Sequence, residues 1–173
     1  VDPTKAEVMI FPTSLHLDML VSNSNYSHIT FGSQNVSKNG NGAFTGELSP
    51  SLLKDLGVTT TLIGHSERRE FFGDDENTIS AKLKNAEANG MFIVMCIGEN
   101  LLQREENKTL DVVKNMLETV RASIQNWKNV AIAYEPVWAI GTGKTASPEQ
   151  AEEVHLAIRE WIEKNVSKET ADE

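Results

Sequence analysis

Five short runs of apolar and β-branched residues recur along the chain: "EVMIFP" at 7–12, "HITFGSQN" at 28–35, "VTTTLIGH" at 58–65, "MFIVMCIGE" at 91–99 and "VAIAYEP" at 130–136. Several are nearly continuous in apolar character, the pattern of strands covered on both faces of a parallel sheet. Helical patterns lie between them. In "DDENTISAKLKNAEANG" (74–90), Ile79, Leu83 and Ala86 fall at three- and four-residue spacing and Gly90 supplies a stop. "LDVVKNMLETVRASIQNW" (110–127) repeats the pattern with Val113, Met116, Leu117, Val120 and Ile124. "SPEQAEEVHLAIREWIEKN" (147–165) opens with Ser147 as cap, Pro148 at the first helical position and Gln150 placed to complete a capping box. "SPSLLKDLG" (49–57) predicts a shorter helix with the same opening and a Gly57 stop, and a further helix is expected over about 13–24.

Strand and helix thus alternate five times without a composition break, which predicts one α/β domain over 1–173 with a parallel sheet and right-handed crossovers. An open doubly wound sheet and a closed barrel both fit this alternation. A nucleotide-binding doubly wound sheet carries Gly-x-Gly-x-x-Gly after its first strand, where this chain has "FPTSLHLD". The barrel is favoured. Eight βα units take about 250 residues, so five units in 173 residues read as most of a (β/α)8 barrel with pieces absent. Both ends, "VDPTKAEV" and "SKETADE", read as cuts in a longer chain, the second as merely polar.

Composition narrows the function. Hydrophobic content of 39% and charged content of 24% are those of an ordinary globular domain. A net charge of −9 argues against nucleic acid as a partner and requires that an anionic substrate be met by local donors. No apolar stretch reaches the ~20 residues of a membrane span. The single cysteine, Cys96, lies in an apolar run and reads as a small buried hydrophobe, consistent with a reducing, cytoplasmic setting. Sequons at Asn25, Asn35, Asn107 and Asn165 read as bystanders.

Residues at the C-terminal ends of barrel strands line the active site, and here they are Asn35, His65, Glu99 and Glu135. His65 is followed at once by Ser66, Glu67, Arg68 and Arg69, a polar cluster that a strand end would not bury without purpose. A short helix beginning there would present N–H groups that disfavour the imidazolium, leaving a neutral ring able to donate a proton to a carbonyl oxygen. Glu135 stands between Tyr134 and a stiff Pro136-Val137-Trp138 segment, and a carboxylate edged by apolar groups is a plausible base. The glycine-containing "AIGTGKTA" after it suits a closing lid. Gly143, Lys144 and Thr145 also match half of a P-loop, but the position of its first glycine is Trp138.

With "GAFTGELSP" (42–50), "LIGHSERRE" (62–70), "CIGE" (96–99) and "AYEPVWAIGTGKTASPEQA" (133–151), the chain resembles the triosephosphate isomerase family of glycolytic TIM-barrel enzymes, across their second to sixth βα units. The resemblance implies interconversion of dihydroxyacetone phosphate and glyceraldehyde 3-phosphate, with Glu135 as base and neutral His65 as electrophile, and no metal or organic cofactor. It implies that Gly141 lends an N–H to the substrate phosphate when the lid, with Lys144, Thr145 and Ala146, closes over a stiff Pro136–Trp138 end. Ser66 and Glu67 would support the site, and Glu99 would help hold the lid's base. The loop "VSKNGNGAFTGE" would carry the homodimer contact, with Thr45 reaching toward the neighbouring subunit's site, Gly46 and Glu47 beside it, and Arg68 pairing with Glu47.

Departures from the family qualify this expectation. Its first strand carries an Asn-x-Lys that this chain starts after; "NWK" at 126–128 stands at a helix end instead. Its seventh and eighth strands, with Ser and Gly-Gly phosphate loops, are absent. Many members have glutamate where this chain has Asp74, a mild change. A catalytically inactive partial copy that keeps the dimer surface is the alternative to an isomerase, and a nucleotide binder through "GTGKT" is the third possibility.

Overall fold

In a computed structural model, which describes residues 2, 5–23 and 28–173, each of the five apolar runs contains a strand. They are β1 (Val8–Ile10), β2 (Ile29–Phe31), β3 (Thr60–Ile63), β4 (Phe92–Ile97) and β5 (Val130–Tyr134). All pair in parallel, β1 with β2 and β3 through β4 to β5. A parallel bridge between Ser33 and Thr61 joins the two groups, with the Ser33 N–H donating to Thr60 O and the Leu62 N–H to Ser33 O, each at 2.9 Å. The five strands therefore follow chain order, as successive βα units in a barrel require.

The helices are α1 (Ser14–Val21), α2 (Pro50–Asp55), α3 (Ser66–Phe71), α4 (Glu76–Ala88), α5 (Leu101–Glu105), α6 (Thr109–Ser123), α7 (Pro148–Asn165) and α8 (Lys168–Asp172). The last position of the helix expected over 13–24, and the sequon at Asn25, lie outside the described residues. Capping drives the boundaries. Ser147 and Gln150 exchange side-chain and backbone bonds in the capping box expected of them, and Ser49 accepts the Leu52 N–H. Gly90 ends α4 at φ 66°, where a side chain would be strained.

The core lies between sheet and helices. Ile93, Met95 and Ile97 of β4 are buried with Ile79, Leu83 and Ala86 of α4 and Val113, Leu117 and Val120 of α6. Each of these Val, Ile, Leu and Met side chains contributes about 1.5–3 kcal/mol through burial. The sheet is not closed: Glu7, beside β1, and Val130 and Ile132 of β5 line one groove of about 650 Å³ with Ile158 and Ile162 of α7. This is an incomplete (β/α) barrel.

One expectation needs correction. The C-terminal stretch is not merely polar: Ser167 caps α8, Ala171 is buried in the core, and Arg159 donates to the Ala171 carbonyl. Within the chain, the Arg68 Nε donates to Asp74 Oδ2 at 3.0 Å and its guanidinium lies over the Phe72 ring. Gly73 (φ 69°) turns the chain back after α3 and brings Asp74 to it.

Asp74 has a second cationic partner. It is 5% exposed and also accepts from Lys82, itself 4% exposed, whose Nζ donates on to Asn35 Oδ1 at 2.8 Å. Burial opposes ionisation of Asp74, but the hydrogen bonds from Arg68 and Lys82 outweigh it and hold its carboxyl below the ordinary carboxylate range. Asp74→Ala strands a buried ammonium, so urea unfolding is expected to show a loss of about 3–5 kcal/mol; an unchanged midpoint would contradict the pairing. Because the folded pKa is depressed, this contribution is complete above about pH 5 and lost as pH falls below about 4. The acid limb of the stability profile should flatten in Asp74→Asn.

Candidate active site

Three strand ends build the site. At the end of β3, Gly64 takes φ 79° and sends the chain into α3 with His65 as its N-cap. The turn places His65, Ser66 and the first free N–H groups of α3 at the C-terminal edge of the sheet. Beyond β4, Gly98 and Glu99 follow Ile97. Beyond β5, the Glu135 N–H donates to Ile97 O at 2.8 Å, extending the ladder by one residue and fixing where the Glu135 side chain starts.

The Glu135 carboxylate, partly buried, reaches across to α3. Its Oε1 accepts the Ser66 N–H at 2.9 Å, and its Oε2 accepts the Ser66 hydroxyl at 3.1 Å and stands 3.3 Å from His65 Nε2. His65 Nδ1 accepts the Glu67 N–H at 3.3 Å. An accepting Nδ1 carries the lone pair, so the proton of the neutral ring sits on Nε2, the nitrogen that faces Glu135. Imidazole N–H and carboxylate are therefore side by side, aimed at the same open edge. The Glu67 carboxylate stands off at 3.7 Å from Nδ1 and is largely exposed.

Gly98 makes this approach possible. A methyl group on it would lie 1.7 Å from the Glu135 carbonyl oxygen. Beneath, Cys96 is buried, and its thiol is pushed up to about 12 by burial and by the charge of Glu135. It stays a thiol.

Glu99 anchors the other flank. Its carboxylate is fully buried and accepts from Trp138 Nε1 at 2.9 Å, Tyr134 OH at 3.0 Å, and Arg104 and Thr109 at 3.3 Å. A buried carboxylate is tolerated only with such saturation. Burial and the neighbouring Glu99 charge raise the Tyr134 hydroxyl well above its ordinary range, so it remains a donor. Arg104, Thr109 and Tyr134 as partners of Glu99 were missed at the level of sequence. "ENLLQRE" does carry a signal in hindsight, because Asn100 and Gln103 form a capping box that opens α5 and brings Arg104 around.

The loop after β5 starts at Pro136 and a 3-10 turn, Val137–Ala139, in which Trp138 is buried. Gly141, Thr142, Gly143, Lys144 and Thr145 are exposed, Ala146 is half-buried, and both glycines take positive φ, 69° and 75°. The Thr142 hydroxyl donates to Trp138 O at 2.8 Å, tying the loop back to its 3-10 turn. The half P-loop gains no support: Lys144 lies in this loop and the next helix opens only at Pro148. Thr45, Gly46 and Glu47 lie on an exposed loop. Among the described residues, no group of three or more His, Cys, Asp or Glu could hold a metal ion, and no helix is long and apolar enough to cross a membrane.

Parallel βα units in chain order, with carboxylate and imidazole converging at their C-terminal ends, define an incomplete (β/α) barrel with an acid–base site. Comparison supplies the family. The profile described as triosephosphate isomerase matches residues 1–173. Proteins named triosephosphate isomerase from Neurospora crassa and Zygosaccharomyces bailii are 46% and 44% identical over 172 residues, which cover 99% of this chain and 69% of each relative. A protein named triosephosphate isomerase, chloroplastic, from Fragaria ananassa is 47% identical over 165 residues, 95% of this chain and 52% of that protein. The chain belongs to the triosephosphate isomerase family.

Proposed function

We propose that Glu135 and His65 exchange a proton between adjacent carbons of a triose phosphate, interconverting dihydroxyacetone phosphate and glyceraldehyde 3-phosphate. The 3.3 Å approach of Nε2 to Oε2, with the imidazole proton on Nε2, carries this reading. The geometry is that of a resting site. The carboxylate is engaged by both donors of Ser66, and on substrate binding it leaves them for the carbon-bound proton. Glu135 then removes the proton from one carbon, the electron pair forms an enediolate, and His65 Nε2–H supports the oxygen that gains charge. His65 Nε2 gives its proton to that oxygen and takes one from the hydroxyl on the first carbon, and the carboxylic acid returns its proton to the neighbouring carbon, leaving the carbonyl on the first. Residue roles follow the family's assignment. Gly141 offers its N–H to the phosphate as the lid turns about the segment held by Glu99 and Trp138, and Lys144, Thr145 and Ala146 form its second hinge. Glu67 stays beside the ring.

We read the protein as cytoplasmic and as a homodimer through the loop bearing Thr45, Gly46 and Glu47. Phe44 and Leu48 on that loop, and Phe71 and Phe72 near Arg68, are exposed apolar side chains that a second copy would cover. Sedimentation equilibrium reads this directly, and a strict monomer would remove it.

The chain spans 69% of the length of its relatives, and a second reading is a partial copy that keeps the acid–base pair but turns over little. One assay separates them. The protein is incubated with dihydroxyacetone phosphate in D2O and deuterium on carbon and new aldehyde are followed by proton NMR. Exchange that falls at least about 10²-fold in Glu135→Gln supports the isomerase. Absence of exchange in the unmodified chain supports the partial copy, and exchange unaffected by Glu135→Gln would refute the assignment of the base.

A further inference from the structure

We propose that Arg69 is a positioning residue for the His65 imidazole, acting through the Gly64 carbonyl; this rests on the reading of His65 as electrophile. Three observations converge on it. The Arg69 Nε donates to Gly64 O at 2.8 Å, and that oxygen belongs to the peptide that joins Gly64 to His65. Gly64 is in the left-handed region at φ 79°, at the point where β3 gives way to α3. Rotation of this one peptide changes the direction in which the His65 side chain leaves the backbone. The other end of the guanidinium, Nη1, pairs with Glu76 in the first turn of α4. Arg69 sits in the last turn of α3, the helix that His65 caps.

The fork therefore closes a loop: α3 folds back through its own arginine onto the turn that launches it, and α4 holds the arginine in place. The Glu67 N–H fixes which ring nitrogen carries the proton, but it belongs to the same short helix and moves with it. Ser66 and His65 also meet Glu135, and Arg68 reaches α4 through Asp74 and Lys82, but Arg69 is the side chain that bonds the Gly64 carbonyl to an element outside that helix. The packing is close. A methyl group on Gly64 would stand 3.1 Å from Arg69 Nη2, 3.1 Å from Met95 Cε and 3.2 Å from Cys96 O. Arginine suits the task because its donors diverge in a rigid plane and serve both partners at once. Lysine, a point charge on a flexible stem, serves one.

The test reads the imidazole itself and needs no turnover, so its outcome is separable from that of the isomerisation assay. Nitrogen-15 NMR of the histidine rings is recorded on the unmodified protein, Arg69→Lys and Arg69→Met, with His65 assigned by its loss in His65→Gln. The unmodified protein is expected to show an unprotonated Nδ1 and a protonated Nε2 above the titration range. Both Arg69 variants are expected to lose this separation, the two nitrogen shifts converging as the ring samples both tautomers. A variant that only weakens the fold would lower the midpoint of unfolding and leave the pattern intact. Retention of the separated pattern in folded Arg69→Lys overturns the proposal, and the lysine variant decides alone if the methionine variant does not fold.

Discussion

No side chain can stand on Gly98, because the Glu135 carbonyl oxygen occupies the space a methyl group would take. This bare strand end sets the geometry of everything above it. β4 lies between β3 and β5, so a residue following β5 meets a residue following β3 only by passing over the end of β4. Gly98 opens that passage and Glu135 uses it, reaching Ser66 and His65 across the width of a strand. The sheet supplies the framework, the left-handed turn at Gly64 aims the imidazole, and the N-terminus of α3 supplies the donors.

Around this crossing, buried charge is neutralised at short range. Glu99 has four donors and Asp74 has two cationic partners, so a chain of net charge −9 presents little uncompensated negative charge in its interior. Glu135 differs from both. Its partners are the hydroxyl and backbone N–H of Ser66 and the His65 ring, none of them a lysine or arginine, and each Ser66 bond is worth about 1 kcal/mol. That contrast sets Glu135 apart from the carboxylates that hold the fold.

The fold was legible because parallel strands buried on both faces read as continuous apolar runs, and because Ser147–Gln150 and Ser49–Pro50 are local capping signals. The strands proved shorter than the runs, since residues such as Gly64 and Gly98 keep the composition of a strand while turning out of it. Helix α8 was illegible for another reason: "SKETADE" has no periodic face, and it folds because Ala171 finds a place in the core and its carbonyl meets Arg159. At the site, His65 and Glu135 could be named from their motifs, but not the partners they would find. Ser66 as the holder of Glu135, and Tyr134 and Trp138 as donors to Glu99, come from contacts between elements far apart in sequence. No local pattern encodes them.

The direct test of the account is an experimental structure of the protein at atomic detail with dihydroxyacetone phosphate bound, set beside the unliganded protein. The account predicts that the Glu135 carboxylate leaves Ser66 and faces the carbons of the triose, with His65 Nε2 on the neighbouring oxygen. A bound triose with Glu135 still held by Ser66, or with His65 turned away from it, would contradict it.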